Sequence, residues 1–449
     1  MRAISASLVF CNQLAQLIPL FNREITLMTL RRRSFLAGAG ALVTAPAVVF
    51  GQAQRVFKFA LVGCGGRGSG AVKNIQAAAE RLGHKAVLVA AADFFQEKAA
   101  AVCKANGCDE KYAFGGAGGY KKVLESDAEI VLLATPPIFR PLHLEACVKA
   151  GKHIFAEKPI ATDAAGLRHF LKGVAEAKAK NLSILSGTLH RHSNRFLRQI
   201  GPVQNGAIGR ILAGQVYRCQ GGIWVRPRRE KESNAAYLCN NWYHFWEMSG
   251  DQITEQAIHE IDLANWFIGR FPKTAMAIGA RHRRPAGIGD IYDCMAIDYD
   301  YDDSVHVQTI GRHISGCSNR VGTLLVGSEG EVACGGKITR FDGKEVQYDE
   351  ERIKGRHENG LIMEHCDFLR GLLDGKLINE GEQVAMSTAT TIMGTFSAYS
   401  GRTVRLSDLL TNTESEFYNM NAGFTAADFE RTDDIPMPVE GVGAVPGKA

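Results

Sequence analysis

Short apolar runs alternate with amphipathic stretches in the part of the chain that follows residue 54. The apolar runs have the length of strands and lie at 57–62, 86–92, 130–134, 153–156 and 182–185. The amphipathic stretches have the spacing of helices and lie at 69–82, 97–106, 141–150 and 163–180. This alternation predicts an α/β domain with a parallel, doubly wound sheet that binds ligands at the carboxyl ends of its strands.

The pattern becomes richer in strands after residue 210. Alternating apolar and polar positions predict strands at 211–218, 275–281, 292–299, 304–312 and 323–325. Asp302 and Asp303 separate two of these runs, which predicts a hairpin turn and an antiparallel sheet. Two longer stretches, 359–373 and 382–400, have helical spacing, and Gly401 closes the second.

With 449 residues, the chain is longer than one hydrophobic core usually organises. We predict an N-terminal extension with a signal at 1–53, the doubly wound domain at 54–186, and an α+β domain at 187–408. A C-terminal arm follows at 409–449. Its last part, 433–449, is rich in Pro, Gly and Val and is expected to be a surface arm or partly disordered.

The composition is that of a soluble globular protein, with 46% hydrophobic and 22% charged residues. The formal net charge of +5 includes arginines near the N-terminus, and no basic stripe is interleaved with aromatic residues. Nucleic acid is therefore not an expected partner. The eleven cysteines show neither Cys-x-x-Cys pairs nor zinc spacing, so most are expected to be buried apolar residues.

A glycine-rich turn follows the first predicted strand, with Gly63, Gly65 and Gly68 in a G-x-G-x-x-G pattern. Glycines allow a tight turn, a close approach of the backbone to a pyrophosphate, and close packing of the next helix. The helix N-terminus supplies free N–H groups for the phosphates. The motif alone is weak evidence, because an ordinary loop is the alternative.

A carboxylate at the end of the second predicted strand strengthens the dinucleotide interpretation. Asp93 is placed to accept the hydroxyls of an adenosine ribose, and Phe94 and Phe95 follow it without a basic residue. This favours NAD over NADP. The predicted cofactor contacts are Gly63, Gly65, Gly66, Arg67, Gly68, Asp93, Thr135, Pro136, His143, Glu157 and Lys158.

Two turns follow neighbouring predicted strands. Thr135 and Pro136 end one of them, and Glu157-Lys158-Pro159 ends the next, so Lys158 is expected in the crevice beside the nicotinamide. An ammonium there can polarise or deprotonate a hydroxyl as a hydride leaves its carbon. The alternative is an ordinary solvated lysine.

This combination of a Rossmann fingerprint and a Glu-Lys-Pro turn resembles the glucose-fructose oxidoreductase and inositol dehydrogenase (Gfo/Idh/MocA) family over about residues 55–405. The resemblance implies a Rossmann domain followed by an α+β domain with an open, mainly antiparallel sheet. It further implies a catalytic, substrate-orienting role for Lys158, a tightly bound nicotinamide cofactor and a carbohydrate or cyclitol substrate. Oligomerisation through the open sheet is also implied.

Residues 249–262 resemble the second signature of that family, with Glu255, His259 and Asp262 at its chemical positions. Residues four apart share one face of a helix, so Glu255 and His259 are expected to converge on one substrate, with His259 as acid/base. The commoner pattern has Asp at 255 and Gly at 257, where this chain has Ala257, which puts the specificity in doubt. Asp262 is expected to be structural. A metal site at these three residues lacks further ligands and is not expected.

Two clusters flank this signature, at 186–192 and 240–246. Aromatic rings stack on sugar faces, and Arg and His bond sugar hydroxyls. We therefore predict substrate contacts at Arg191, His192, Trp242, Tyr243 and His259. Core packing between the domains is the alternative.

Arginines at 31–33, followed by Phe35, Leu36 and an apolar run at 37–50, resemble a twin-arginine export signal. The run is shorter than the roughly twenty residues that span a bilayer, so a cleaved signal is favoured over an uncleaved tether. Met28 is a candidate start. The protein is expected in the periplasm or otherwise exported, with the membrane involved only in export.

Three functions compete at this point. The first is an NAD-dependent oxidoreductase that acts on a hydroxyl of a sugar or polyol. The second is a glycoside hydrolase or epimerase with transient oxidation and no net redox change, because free NAD is scarce outside the cytoplasm. The third, a non-catalytic sugar-binding protein, is disfavoured by the intact set of Lys158, Glu255 and His259.

Overall fold

A computed structural model describes residues 54–420 and 423–439 of the chain. The predicted export signal, including the arginines at 31–33, and the candidate start at Met28 lie outside the described residues. Residues 440–449 of the predicted C-terminal arm also lie outside them.

The first sheet of the described region is parallel and has six strands. They are β1 (Val56–Val62), β2 (Lys85–Ala92), β3 (Ala113–Phe114), β4 (Ile130–Leu133), β5 (His153–Ala156) and β6 (Ile184–Ser186). The strand order is β3-β2-β1-β4-β5-β6, which confirms the predicted doubly wound sheet. Val62, the last residue of β1, pairs with Ala92 and Leu133, so three strands end together at one edge.

Helices accompany this sheet because apolar side chains recur along one face of each. They are α1 (Gly66–Arg81), α2 (Gln96–Ala105), α3 (Gly119–Leu124), α4 (Arg140–Lys149) and α5 (Ala164–Ala179). In α1, Val72, Ile75 and Ala79 are fully buried. The first turn of α5 is capped by Asp163, whose carboxylate accepts the Gly166 N–H at 2.6 Å.

The second sheet of the described region has eight strands and is mainly antiparallel, as predicted. They are β7 (Ile211–Gln220), β8 (Thr274–Ala280), β9 (Cys294–Asp300), β10 (His306–His313), β11 (Arg320–Gly327), β12 (Gly330–Ala333), β13 (Ile338–Arg340) and β14 (Val404–Arg405). The order is β13-β12-β11-β7-β10-β9-β8-β14, and the β7–β10 pair is parallel. Asp302 and Asp303 form the predicted turn between β9 and β10, with φ of 70° and 53°.

The remaining helices follow β6 along the chain, and one of them, Gly360–Asp374, packs on α1 of the first domain. They are α6 (Asn194–Gln204), α7 (Asn234–Asn240), α8 (Trp246–Ser249), α9 (Ile258–Ile268), α10 (Gly360–Asp374), α11 (Gly381–Ser400), α12 (Leu406–Leu410) and α13 (Glu416–Asn419). The polar centre of α11 is buried because its hydroxyls bond back along the helix: Thr388 Oγ1 donates to the Val384 carbonyl at 2.8 Å. Across the described residues, every helix is too short or too polar to cross a membrane.

The described C-terminal segment, residues 423–439, docks on the fold, although within the described part of the predicted surface arm, 433–439, only Ile435 is buried. Phe424, Phe429 and Ile435 are buried in a cluster with Phe139 and Phe245. The Pro, Gly and Val content of the tail suggested a loose arm, but these three side chains supply enough apolar surface to dock the segment on the fold.

Candidate functional site

The glycine-rich turn lies between β1 and α1 and is folded tightly against the end of β4. Gly63 has a φ of +98°, and a Cβ there would come 2.5 Å from the Ala134 backbone. A Cβ on Gly68 would lie 1.9 Å from the Gly63 carbonyl oxygen. Only glycine fits at these two positions. Gly65 and Gly66 border open space instead, because a Cβ there meets no atom within 4 Å.

A cavity of about 110 Å³, the Asp93 cavity, opens beside this turn. Its lining includes six of the predicted cofactor contacts: Gly63, Gly65, Asp93, Thr135, Pro136 and His143. The Asp93 carboxylate accepts the Cys64 N–H at 2.7 Å and the Phe95 N–H at 2.9 Å, through different oxygens. Because an ionised carboxylate has about four acceptor sites, it keeps acceptors for a ligand.

Lys98 also lines the Asp93 cavity, with its Nζ 4.0 Å from the centre of the Phe95 ring. Lys98 does not directly follow Asp93 in the sequence, and the first turn of α2 brings its ammonium back to the cavity. The retained Asp93 carboxylate disfavours a 2′-phosphate by like-charge repulsion.

These features fit a dinucleotide. The open backbone at Gly65 and Gly66 and the N-terminus of α1 suit a pyrophosphate. Asp93 supplies a carboxylate that can accept hydrogen bonds from ribose hydroxyls, and apolar side chains line much of the rest of the Asp93 cavity.

His143 is a neutral wall of this cavity. Its ring packs 4.4 Å from the Tyr120 ring and 5.8 Å from the Phe139 ring. Burial, followed by the charge of Arg140, lowers the pKa of His143 from 6.5 to about 3.

This depressed pKa predicts a loss of stability in acid. Below about pH 6.5, His143 becomes protonated in the unfolded chain but stays neutral in the folded protein. The free energy of unfolding is therefore highest above this pH, and it falls by about 1.4 kcal/mol for each pH unit below it. His143→Gln removes this dependence. Urea unfolding measures the free energy of unfolding at pH 7 and at pH 5. Between these two pH values, the parent protein should lose about 2 kcal/mol more of this free energy than the variant. Equal losses in both proteins would contradict this.

A second cavity, the Lys158 cavity, has a volume of about 270 Å³. The structure brings Lys158, Glu255 and His259 together in its lining, and Arg67, Thr135 and Glu157 from the predicted cofactor set line it too. The two cavities share Ala134, Thr135 and Trp242. A ligand that extends from Asp93 would therefore arrive beside Lys158.

Lys158 is held by Glu255 in two ways. Its ammonium donates to the Glu255 carbonyl at 2.5 Å and to Glu255 Oε1 at 3.0 Å, and both side chains are 9% exposed. An ammonium has three N–H donors, so one stays available to a ligand oxygen.

The other oxygen of the Glu255 carboxylate is also fixed. It accepts a hydrogen bond from Gln256 Nε2 at 2.5 Å. Gln256 Oε1 in turn accepts a hydrogen bond from the Arg218 guanidinium at 2.5 Å. Arg218 is in turn paired with Glu260 at 3.0 Å. This chain of contacts restrains the carboxylate that positions Lys158. Sequence reasoning missed Gln256 and Arg218, because an Arg on β7 gives no signal of its distant partner.

His259 is the second residue of α9, which directly follows a π-helical turn, Ile253–Ala257. The turn was predicted as regular α-helix. The extra residue per turn changes the angle between Glu255 and His259, yet both still line the Lys158 cavity. Burial, followed by the charge of Lys158, lowers the pKa of His259 well below its usual value. The ring is therefore neutral at neutral pH and, in this state, a weaker base than an ordinary histidine.

His190, which the sequence did not single out, lies beside His259 with 5.4 Å between the ring centres. It belongs to a 3-10 turn, Leu189–His192. Its Nε2 is 3.9 Å from Glu260 Oε1, so its contact with the acidic side chain is long.

Arg140 joins the two turns of the crevice and was also missed. Its guanidinium is 2% exposed and donates to the Thr135 carbonyl at 2.5 Å and to the Pro159 carbonyl. Burial lowers the pKa of Arg140 to about 10, which leaves it charged. Arg67 stands nearby as predicted, with its Nε 2.8 Å from Glu157 Oε1.

Arg191 and His192 do not line the Lys158 cavity, so their contact with substrate stays a prediction. Arg191 forms a bidentate pair with Asp262 at 2.8 and 2.9 Å, so Asp262 has the expected structural role. His192 lies between Asp367 and Glu380, at 2.8 and 3.1 Å. Burial opposes its charge, but Glu380 and Asp367 raise the pKa of His192 to about 10.

Of the two aromatic residues predicted to contact substrate, one lines the cavities and the other is buried away from them. Trp242 lines both cavities, whereas Tyr243 is 1% exposed and its hydroxyl bonds His313 Nδ1 at 2.9 Å. Trp224, which was not predicted, is 45% exposed with its ring 6.1 Å from that of Trp242. In the described part of the chain, no group of three or more His, Cys, Asp or Glu is placed to hold a metal ion.

A Rossmann domain, an open sheet and a Lys-Glu-His set at their junction are typical of a nicotinamide-dependent oxidoreductase. Comparison agrees: residues 57–184 match the model described as "Oxidoreductase family, NAD-binding Rossmann fold" of Gfo/Idh/MocA. Residues 202–333 match the "GFO/IDH/MocA C-terminal domain". The two matches together span more than half of the chain. The protein belongs to the Gfo/Idh/MocA family and is an NAD-binding oxidoreductase.

Several relatives are similar over part of their length. Inositol 2-dehydrogenase of Rhizobium meliloti is 28% identical over 47% of this chain and 57% of its own length. The 2,7-anhydro-N-acetylneuraminate hydratase of Escherichia coli is 25% identical over 64% of this chain and 83% of its own. The Bordetella pertussis WlbA dehydrogenase, solved with NADH and UDP-GlcNAcA, has a similar fold, with a TM-score of 0.60 and 22% identity. That alignment covers 78% of this chain and 99% of WlbA.

Proposed function

We propose that the protein oxidises a hydroxyl of a sugar or polyol with bound NAD. The observation that carries the proposal is the Lys158 cavity, where an ammonium, a fixed carboxylate and a neutral histidine adjoin the dinucleotide cavity. Bound NAD would supply a hydride acceptor at this junction.

Each side chain has a defined part in this reaction. The free N–H of Lys158 donates to the substrate hydroxyl oxygen and stabilises negative charge that develops there. Neutral His259 accepts the hydroxyl proton as the carbonyl forms. Glu255 holds Lys158 in place, and the Trp242 ring offers an apolar wall for a sugar face. The same groups act in reverse if a ketone is reduced.

A second candidate is redox-neutral chemistry on a glycoside or an epimerisable sugar. Similarity to two hydratases favours it, because a hydration involves no net oxidation of the substrate. Here a sugar carbon would be oxidised, the neighbouring carbon altered by elimination or inversion, and the ketone reduced again in one site. His259 and Lys158 would move the protons in both halves.

We further propose export by the twin-arginine route and self-association through the open sheet. The arginines at 31–33 with Phe35 and Leu36 support export. On the sheet, Met276 is 65% exposed, Ile278 72% and Ile310 43%, which is typical of an interface rather than a free surface.

One experiment separates these possibilities. The full precursor is expressed with its export route intact, beside a matched variant with lysines at 31–33, and each protein is recovered by cell fraction and sized by light scattering. Denaturation and mass spectrometry then identify any released nucleotide. Absorbance at 340 nm follows a panel of polyols, and chromogenic glycosides are tested without added NAD.

Reduction of NAD on a polyol establishes the first candidate, and glycoside cleavage without added NAD establishes the second. If neither panel turns over while NAD is bound, both reactions are wrong. An unchanged cell fraction in the lysine variant would refute the export route, and a monomer would refute self-association.

A further inference from the structure

Aromatic packing connects the C-terminal segment to the wall of the Asp93 cavity. Phe424 and Phe429 are each 4% exposed, and their rings lie 5.6 Å apart. The Phe429 ring meets the Phe139 ring edge-on at 5.0 Å. Phe139 lines the cavity and stacks on His143. The segment therefore supports the wall from behind without lining the cavity itself.

A polar contact reinforces this packing. Glu430 Oε1 accepts the Tyr120 hydroxyl at 2.8 Å, and the other oxygen pairs with Lys121. Tyr120 lines the same cavity, with its ring against His143. The Glu430 side chain is 19% exposed, so these bonds are only partly open to water. Segment and wall are thus joined by both apolar and charge-assisted contacts.

The same segment also forms hydrogen bonds with the second domain. The Asp433 carbonyl accepts the Ala235 N–H at 3.1 Å, and the Ile435 carbonyl accepts Asn234 Nδ2 at 2.8 Å. Both partners begin α7, and α7 carries Cys239, a further lining residue of the Asp93 cavity. The segment therefore bridges two walls that come from different domains. It lies outside both ranges that match the family models.

We propose that residues 423–439 keep the walls of the Asp93 cavity together and so retain the dinucleotide between turnovers. A ligand that fills this cavity leaves faster when its walls separate, and separation requires the segment to lose either its Phe429 and Glu430 contacts or its bonds to α7. Phe429 and Glu430 are positioning residues, because they act through Phe139 and Tyr120. The proposal rests on the NAD-dependent function proposed above.

Phe429→Ala and Glu430→Gln test this assignment, with Phe341→Ala as the matched control because Phe341 is 63% exposed. The measurements are the NAD content after prolonged dialysis and the rate of NADH release, followed by fluorescence during displacement with excess NAD. We expect about tenfold faster release for Phe429→Ala, a few-fold for Glu430→Gln, and no change for the control. The KM for NAD should rise with the release rate, while kcat at saturating NAD stays within about twofold.

Parental release rates in both variants would overturn the proposal, even if their melting temperatures fall. A loss of kcat without faster release would overturn it too, since that result indicates a structural role at the catalytic cavity. If Phe429→Ala fails to fold, Glu430→Gln and Lys121→Ala decide the question by the same rates. If the parent binds no NAD, the proposed function fails first, and this proposal falls with it.

Discussion

Lys158→Met should lower kcat by about 10²–10⁴-fold while NAD still binds. Methionine keeps an unbranched apolar chain but removes the charge and the donors that Glu255 orients. Because the lysine side chain is only 9% exposed, water cannot replace its ammonium readily. Steady-state kinetics on the active polyol, together with NAD titration by fluorescence, separates the loss of turnover from any loss of cofactor.

Lys152→Met is the matched control for this substitution. Lys152 is also partly buried, and its Nζ donates to the Ser126 and Ala128 carbonyls at 3.0 and 2.7 Å. It lines neither described cavity. Its loss should reduce stability and leave turnover near that of the parent. More than a tenth of the parental kcat in Lys158→Met would refute the role given to that lysine.

Gly68→Ala should weaken NAD binding by about a hundredfold, which corresponds to about 2.7 kcal/mol. The added methyl group would lie 1.9 Å from the Gly63 carbonyl oxygen, so either the turn or the start of α1 has to move. Both supply N–H groups for the pyrophosphate. Titration calorimetry measures the affinity, and urea unfolding should show a loss of about 1–3 kcal/mol in stability.

Gly70→Ala, two residues further along the same helix, provides the comparison. A Cβ there comes no closer than 3.4 Å to the end of the Arg67 side chain. Alanine also has a better helix propensity by about 1 kcal/mol, so stability should hold or rise. If both variants bound NAD equally, the tight turn would not be what shapes the dinucleotide site.

The strands of the first sheet could be predicted because a parallel sheet is buried on both faces and its strands are continuous apolar runs. β3 escaped prediction because it is only two residues long, and its pairing depends on Ala91 and Ala92. The turns around Trp242 and Ile253 escaped for a different reason. They are 3-10 and π-helical, and no simple period of apolar positions marks such turns.

The position of Lys158 in the crevice follows from the strand ends, but its pairing with Glu255 could be predicted only through the resemblance to a family, since the two residues are 97 positions apart. The same property of the fold limits what could be predicted of Arg191 and His192. Their partners Asp262 and Glu380 are 71 and 188 residues away, and no local pattern reveals such pairs. A basic residue near a predicted site is therefore ambiguous until its tertiary partners are known.

The single guanidinium of Arg140 ties the end of β4 to the turn that carries Lys158. The Thr135 end of the crevice and the proposed catalytic ammonium of Lys158 thus share one mechanical support, which is fixed from within α4. Under the proposed function, a change at Trp242 would alter which sugar fits, while Arg140 would keep Lys158 aligned with the dinucleotide crevice. When the support of the reacting groups is separate from the wall that contacts the substrate, one reaction geometry can serve many carbohydrates.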